Sequence, residues 1–313
     1  MSDTAVQVSV IGTGVIGASW AACFLARGLE VVATDPAAGA EEALRADIAR
    51  HWPSLKSMGL APGASIDNLT FTPDLEAAVR DTQFIQENGP EREDFKADLF
   101  RRIDAAAPPD AILASSSSGL LISRIQVACK HPERVMIGHP FNPPHLIPLV
   151  EVVGGDSTSA QAIEKALTFY SAIGKRPIHL RKEIAGHVAN RLQAALWREA
   201  FHLVDIGVAT VADIDTAIAN GPGLRWALLG PFMNLHLSGG RGGMEHNLAH
   251  LGPAMESWWK ELGDPSLTPE LCRKVIDGVN DLLGDRSTEQ IQKERDALLL
   301  DLLRAKDAAK DLP

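Results

Sequence analysis

Cysteine, tyrosine, basic charge and long apolar runs are all scarce in this 313-residue chain. Cys23, Cys129 and Cys272 are too few and too scattered for a disulfide framework or a cysteine-based zinc site, and no metal is expected. They fit a reducing, cytoplasmic setting. Lys and Arg number 30 against 40 Asp and Glu, a net charge of −10. The basic footprint that nucleic acid or an anionic membrane surface demands is therefore missing. No run of about 18 apolar residues occurs, which argues against a membrane-spanning helix. The opening MSDTAVQVSVIG lacks a basic stretch ahead of a long apolar one, so no signal peptide is expected. Internal repeats and low-complexity tracts are absent as well. What is present, 45% apolar and 22% charged residues, is the composition of a globular protein, and the length suggests two domains or one large one.

Eight β-branched runs punctuate the first part of the chain: residues 6–12, 29–35, 68–71, 82–88, 111–117, 134–140, 149–155 and 175–183. Helical spacing fills most of the gaps between them. Strands alternating with helices predict a Rossmann-type α/β fold, a doubly wound, mostly parallel sheet. From about Ile184 the strands stop and five helical stretches follow, so an all-α C-terminal domain is expected. The boundaries read as 1–183 and 184–313. The closing EQIQKERDALLLDLLRAKDAAK is amphipathic, with leucines to bury against its own domain or a second subunit.

Gly12-Thr13-Gly14-Val15-Ile16-Gly17 forms G-x-G-x-x-G between a strand and a helix, and Asp35 ends the next strand 18 residues after Gly17. A glycine triplet alone is weak evidence, but this context is the dinucleotide fingerprint. Gly12 permits the tight turn, Gly14 the approach of a diphosphate, and Gly17 the packing of helix on strand. The amides from Val15 and Ile16 onward, with the helix dipole, favour the anion. Asp35 suits a ribose diol and would repel a 2′-phosphate, and Pro36-Ala37-Ala38 offers no arginine to neutralise one. NAD is the expected cofactor. Ligands of such sheets sit at the carboxyl ends of the strands. There lie Ser115–Ser118, His139, and a proline-rich loop leading to Glu151 in LVEVV. A dehydrogenase needs a base for the hydroxyl proton, which histidine suits, and a carboxylate partner would fix its tautomer. The residues alone leave the alternatives open: a strand-end histidine is often structural, and Glu151 can be a solvated edge carboxylate.

Taken together, GTGVIG…D, SSSSGL, GHPFNP, LVEVV and GHVANRL resemble the 3-hydroxyacyl-CoA dehydrogenase superfamily over nearly the whole chain. The resemblance implies hydride transfer between the 3-position of a small-molecule substrate and NAD, and a homodimer formed through the helical domain. It implies His139 as general base with Glu151 as partner, and Ser118 and Asn190 as hydrogen-bond donors to the reacting oxygen or its neighbours. Glu91 and Lys96 in PEREDFK match positions that contact the cofactor on the nicotinamide side. Two departures stand out. Pro140 replaces the usual aromatic after the histidine, and SSSSGL lacks the Asn and Thr that CoA-dependent members carry between the serines.

Members acting on acyl-CoA carry a lysine-rich hairpin after the second strand. Here residues 37–69 hold Lys56, Arg45 and Arg50 against Glu41, Glu42, Asp47 and Asp67, which does not attract a polyphosphate. The closer resemblance is to the branch acting on free 3-hydroxy acids. DPAAGAEEALRADIARHWPSL, MGLAPGA, GLRW and the GGM segment look most like its members that oxidise L-carnitine to 3-dehydrocarnitine. A free acid needs a carboxylate clamp, and Arg225 in GPGLRW, expected on a loop, is the candidate. Trp226 and Phe232 flank it and suit a quaternary ammonium. Asn234 and His236 would instead serve a sugar acid, which keeps L-gulonate as the alternative, with an acyl-CoA behind it. A non-catalytic, crystallin-like NAD-binding protein is the alternative of a different class.

Overall fold

The computed structural model describes residues 6–312. All eight expected strands form: β1 (Gln7–Ile11), β2 (Glu30–Thr34), β3 (Leu69–Phe71), β4 (Phe84–Glu87), β5 (Ile112–Ser115), β6 (Val135–Pro140), β7 (Leu149–Gly154) and β8 (Arg176–Leu180). They make one sheet in the order β3-β2-β1-β4-β5-β6-β7-β8. Every pairing is parallel except β6 with β7. The order reverses between β1 and β4, which opens a crevice at their carboxyl ends.

The helices between these strands are α1 (Val15–Ala26), α2 (Ala40–Met58), α3 (Leu75–Val79), α4 (Glu93–Ala106), α5 (Ile122–Gln126) and α6 (Ala160–Ala172). They cover both faces. Val8, Val10, Met136, Val150 and Val152 point into one core with α1, α2 and α6. Ile11, Ile85, Leu113, Ile137 and Val153 point into the other. Both sheet faces are buried, which is why the strands read as near-continuous apolar runs. Helix α1, VIGASWAACFLA, is buried from Gly17 to Ala26 and accordingly carries no charge.

The chain divides into two compact units, one up to Arg191 and one from Leu192. Helix α7 (Ala189–Asp205) begins in the first unit, later than the helical spacing from His187 suggests, because residues 181–188 form a turn-rich segment. The second unit is helical. It contains α8 (Val211–Asn220), α9 (Pro222–Trp226), α10 (Pro231–Ser238), α11 (Gly243–Glu261), α12 (Pro269–Leu283) and α13 (Thr288–Ala308). Two short helices beyond the five expected stretches are therefore present. GPGLRW is one of them: Pro222 starts α9 as a first-turn proline, so Arg225 stands on a helical turn and not on a loop. Capping boxes at Thr210 and Ser287 start α8 and α13. Lys306 of α13 donates to the Ala227 carbonyl after α9, at 2.7 Å. No helix among the described residues is long and apolar enough to cross a membrane.

Candidate active site

The glycine turn has the shape its sequence demands. Gly12 sits at φ +81°, and its N–H donates to the Thr34 carbonyl. A Cβ on Gly17 would lie 1.9 Å from the Gly12 carbonyl oxygen, so only glycine lets α1 start there. A Cβ on Gly14 would meet nothing within 4 Å, which leaves open space at the N-terminus of α1 where Val15 and Ile16 begin the helix. Asp35 lies beside it, with Oδ2 accepting from the Thr13 N–H (2.8 Å) and Oδ1 from the Ala37 N–H (2.9 Å). A groove of about 750 Å³ runs from Asp35 past Ala37–Glu42 and Arg45 to Phe71 and Pro73. Open amides, a fixed carboxylate and an apolar slot together fit the diphosphate, ribose and base of a dinucleotide. Arg45 on this groove is an arginine that the Pro-Ala-Ala reading overlooked, since a helix brings it back from further along the chain. It pairs with Glu41 at 2.8 Å. With Asp35 and Glu42 close by, the groove's charge still opposes a 2′-phosphate.

The centre of the site is the antiparallel pair β6 and β7. His139 lies directly opposite Glu151 in the ladder, so the two side chains share a face. His139 Nδ1 and Glu151 Oε2 are 2.8 Å apart, and both residues are buried, Glu151 completely. That burial excludes the solvated-edge reading of Glu151. Its other oxygen accepts from the Val188 and Ala189 N–H groups, at 2.9 and 3.0 Å. Burial pushes the carboxyl up, but the bonds from His139, Ala189 and Val188 together hold it below the usual carboxylate range. Glu151 is thus a carboxylate with both oxygens occupied. Phe141 meets the His139 ring edge-on at 5.5 Å. This supplies an aromatic neighbour although Pro140 follows the histidine.

Around this pair the strand ends are cross-linked. Glu91 Oε1 accepts from Ser117 Oγ (2.7 Å) and from the Ser118 and Gly119 N–H groups (2.9 and 3.1 Å). Asn190 Nδ2 donates to the Ser118 carbonyl at 3.1 Å, so Ser118 and Asn190 stand together. Lys96 is buried. Its ammonium reaches both Glu87 oxygens at 2.7 and 2.8 Å, the Gly89 carbonyl at 3.1 Å, and lies 4.0 Å from Glu91. Ser115 Oγ donates to the other side of Glu87 at 2.5 Å. A buried pair of this kind destabilises by roughly 3–5 kcal/mol when one partner is removed.

Several residues of the site were given no individual role by the sequence. Gln86 accepts from the chain's one tyrosine, Tyr170 (2.6 Å), and donates to the Gly138 carbonyl (3.1 Å) and Ser116 Oγ (2.8 Å). Ser116 donates to Asn88 (2.7 Å), which in turn donates to the Ile11 carbonyl beside the glycine turn (3.2 Å). This network ties the histidine strand to the cofactor turn. His187, next to the recognised Asn190, is buried, and its ring lies 5.2 Å from that of His139. A cysteine, glycine or metal pattern can be read off a sequence, whereas buried Gln, Ser and Tyr resemble any other polar residues there.

Arg225, Trp226 and Phe232 belong to the helical unit and are described within it. Trp226 and Phe232 are exposed, Phe232 to 76%. Among the described residues the Arg225 guanidinium has no carboxylate partner. Asn234 donates to the Arg225, Leu229 and Gly230 carbonyls, and His236 Nδ1 accepts from the Met244 N–H. The Asn234 amide nitrogen and His236 Nδ1 are therefore bonded to backbone.

Residues 7–184 match the family model for the 3-hydroxyacyl-CoA dehydrogenase NAD-binding domain, and residues 186–288 that for its C-terminal domain. L-carnitine dehydrogenase of Pseudomonas putida is 51% identical over 96% of this chain and 94% of its own. That of Streptomyces coelicolor is 50% identical over 96% and 94%. Among solved structures, an NAD+-dependent dismutase, 5-formyl-3-hydroxy-2-methylpyridine 4-carboxylic acid 5-dehydrogenase, matches with a TM-score of 0.83. Its identity is 31%, covering 98% of this chain and all of the other.

Proposed function

This chain belongs to the 3-hydroxyacyl-CoA dehydrogenase family, and we propose that within it the substrate is L-carnitine, oxidised at its 3-hydroxyl to 3-dehydrocarnitine. It is an NAD-dependent dehydrogenase. One observation carries the substrate: half of its residues are identical, over nearly the full length of both chains, to proteins that act on L-carnitine. The acidic groups on α2 weigh against an acyl-CoA substrate.

In this reading Glu151, being a carboxylate, only accepts, so Nδ1 of His139 carries the ring proton. Nε2 then presents a lone pair to the substrate hydroxyl and takes its proton as the carbonyl forms. Glu151 holds the ring in that tautomer and stabilises the imidazolium that results. Bound NAD supplies the acceptor for the hydride leaving C3. Ser118 and Asn190 hydrogen-bond the reacting oxygen. Gly12, Gly14, Val15, Ile16, Gly17 and Asp35 hold the dinucleotide, and Glu91 borders its nicotinamide end with Lys96 acting through it. Arg225 clamps the carboxylate, and Trp226 and Phe232 hold the trimethylammonium by their ring faces. Residues 1–183 serve as the cofactor domain and 184–313 as the substrate and dimerisation domain. The exposed Trp258, Trp259, Leu267, Ile276 and Leu298 support a homodimer, and the scattered free cysteines support a cytoplasmic location.

The test is a panel of L-carnitine, D-carnitine, L-gulonate, 3-hydroxybutyrate and 3-hydroxybutyryl-CoA with NAD, followed by NADH formation. L-carnitine is expected to give the highest kcat/KM. A higher value for L-gulonate or the CoA ester overturns the substrate.

A further inference from the structure

His187 takes no part in the chemistry described so far, yet its geometry is unusual. Among the described residues it is the only one other than glycine with positive φ, +50°. L-residues with side chains adopt that region rarely, and β-branched ones hardly at all. Its Nε2 lies 3.0 Å from the Ser117 carbonyl. A carbonyl only accepts, so the neutral ring has its proton on Nε2 and a bare acceptor at Nδ1. That Nδ1 is buried and has no partner among the described residues. Packing alone asks for no such atom, since a phenylalanine would fill the space without a lone pair to desolvate. The next two residues, Val188 and Ala189, are the ones whose N–H groups both donate to Glu151.

We propose that His187 is a positioning residue for the His139–Glu151 pair, its left-handed backbone turning two amides onto Glu151 while its ring pins the Ser117–Ser118 loop. A right-handed or extended residue at this point would direct the following N–H groups elsewhere, and one carboxylate oxygen would lose its donors. The ring bond to Ser117 fixes the loop whose other anchor is Glu91. The titratable neighbours of His187 are His139, Glu151 and Glu91. Burial, and after it the neighbouring His139, keeps the His187 ring neutral against the pull of Ser117, Glu151 and Glu91. The inference rests on the reading that His139 and Glu151 carry the proton transfer.

Three variants separate the possibilities: His187→Val, which resists the left-handed region; His187→Gly, which keeps the turn and removes the ring; and His139→Ala. NADH binding by fluorescence checks the fold. The readouts are kcat, KM for the best substrate of the panel, and the Glu151 titration by 13C NMR of δ-carbon-labelled glutamate, assigned with Glu151→Gln. His187→Val is expected to lower kcat by at least about tenfold and to move the Glu151 carboxyl upward. His187→Gly is expected to leave the Glu151 titration near the parent, to lower kcat less than His187→Val does, and to raise KM several-fold. Parent-like kcat and titration in His187→Val overturn the proposal, as does an equal loss of kcat in both His187 variants. If His187→Val does not fold, His187→Gly decides: a Glu151 titration displaced by ring removal alone overturns the backbone role. Retained turnover in His139→Ala sinks the underlying reading instead. An inactive His139→Ala beside indifferent His187 variants sinks only this inference.

Discussion

The two units use their polar groups in opposite ways. In the first, the polar side chains at the strand ends are bonded within the chain: Glu151 to three donors, Glu87 to Lys96 and Ser115, Glu91 to the serine loop. In the second, the Arg225 guanidinium has no carboxylate partner among the described residues, Trp226 and Phe232 are exposed, and apolar residues such as Leu267 and Leu298 face outward. A site whose donors are already in place costs little reorganisation when charge develops, which is what a proton transfer needs. A surface with unsatisfied groups is what recognition needs, because the ligand completes it. Under the function proposed above, chemistry belongs to the first unit and substrate selection to the second.

The hardest way to break that contrast is at the ladder pair. His139→Ala is expected to reduce kcat by about 10³–10⁴-fold, with NADH binding unchanged by fluorescence titration. A loss confined to KM would dissolve the division. Arg225→Ala should do the converse, raising KM for L-carnitine roughly 10–100-fold by loss of a charge-assisted bond while kcat changes little. Steady-state kinetics distinguish the two. Trp226→Ala and Phe232→Ala act on the ammonium end, and each should lower the preference for L-carnitine over 3-hydroxybutyrate by about 3–30-fold. Equal preference before and after removes the aromatic holder.

The smallest effect tests how firmly the first unit is prepared. His145 is buried with Nδ1 2.8 Å from Ser19 Oγ, stacked on His51 at 4.0 Å. Burial, then the charges of His51 and Lys175, bring it from 6.5 down to about 3. Above 6.5 both folded and unfolded chains hold it neutral. Below 6.5 only the unfolded chain takes the proton, so its contribution to stability falls with pH until about 3, where the folded form also protonates. Urea unfolding should therefore weaken by up to about 1 kcal/mol per pH unit between 6 and 4 on this account. His145→Gln should flatten that slope; an unchanged slope would assign it to other groups.

Much of this was legible in the residues. The eight strands, the glycine turn and Asp35 follow from short-range patterns, because a buried strand, a tight turn and a helix N-terminus each demand particular residues locally. His139 and Glu151 could be proposed, and the resemblance named their roles. GPGLRW misled, since two glycines and a proline suggest a loop until the first-turn proline is seen to start a helix. Arg45 was missed because a helix carries it back over the groove.

The sequence by itself determined the α/β fold, the dinucleotide turn and the candidate base, since each rests on neighbours along the chain. Only the tertiary structure decided that β6 and β7 run antiparallel in the register that places Glu151 opposite His139. It also decided that Tyr170, Gln86, Ser116 and Asn88 join the histidine strand to the glycine turn, and that the Val188 and Ala189 amides reach the Glu151 carboxylate. Those contacts span separate segments of the chain, and no local pattern encodes a partner that folding has yet to bring near.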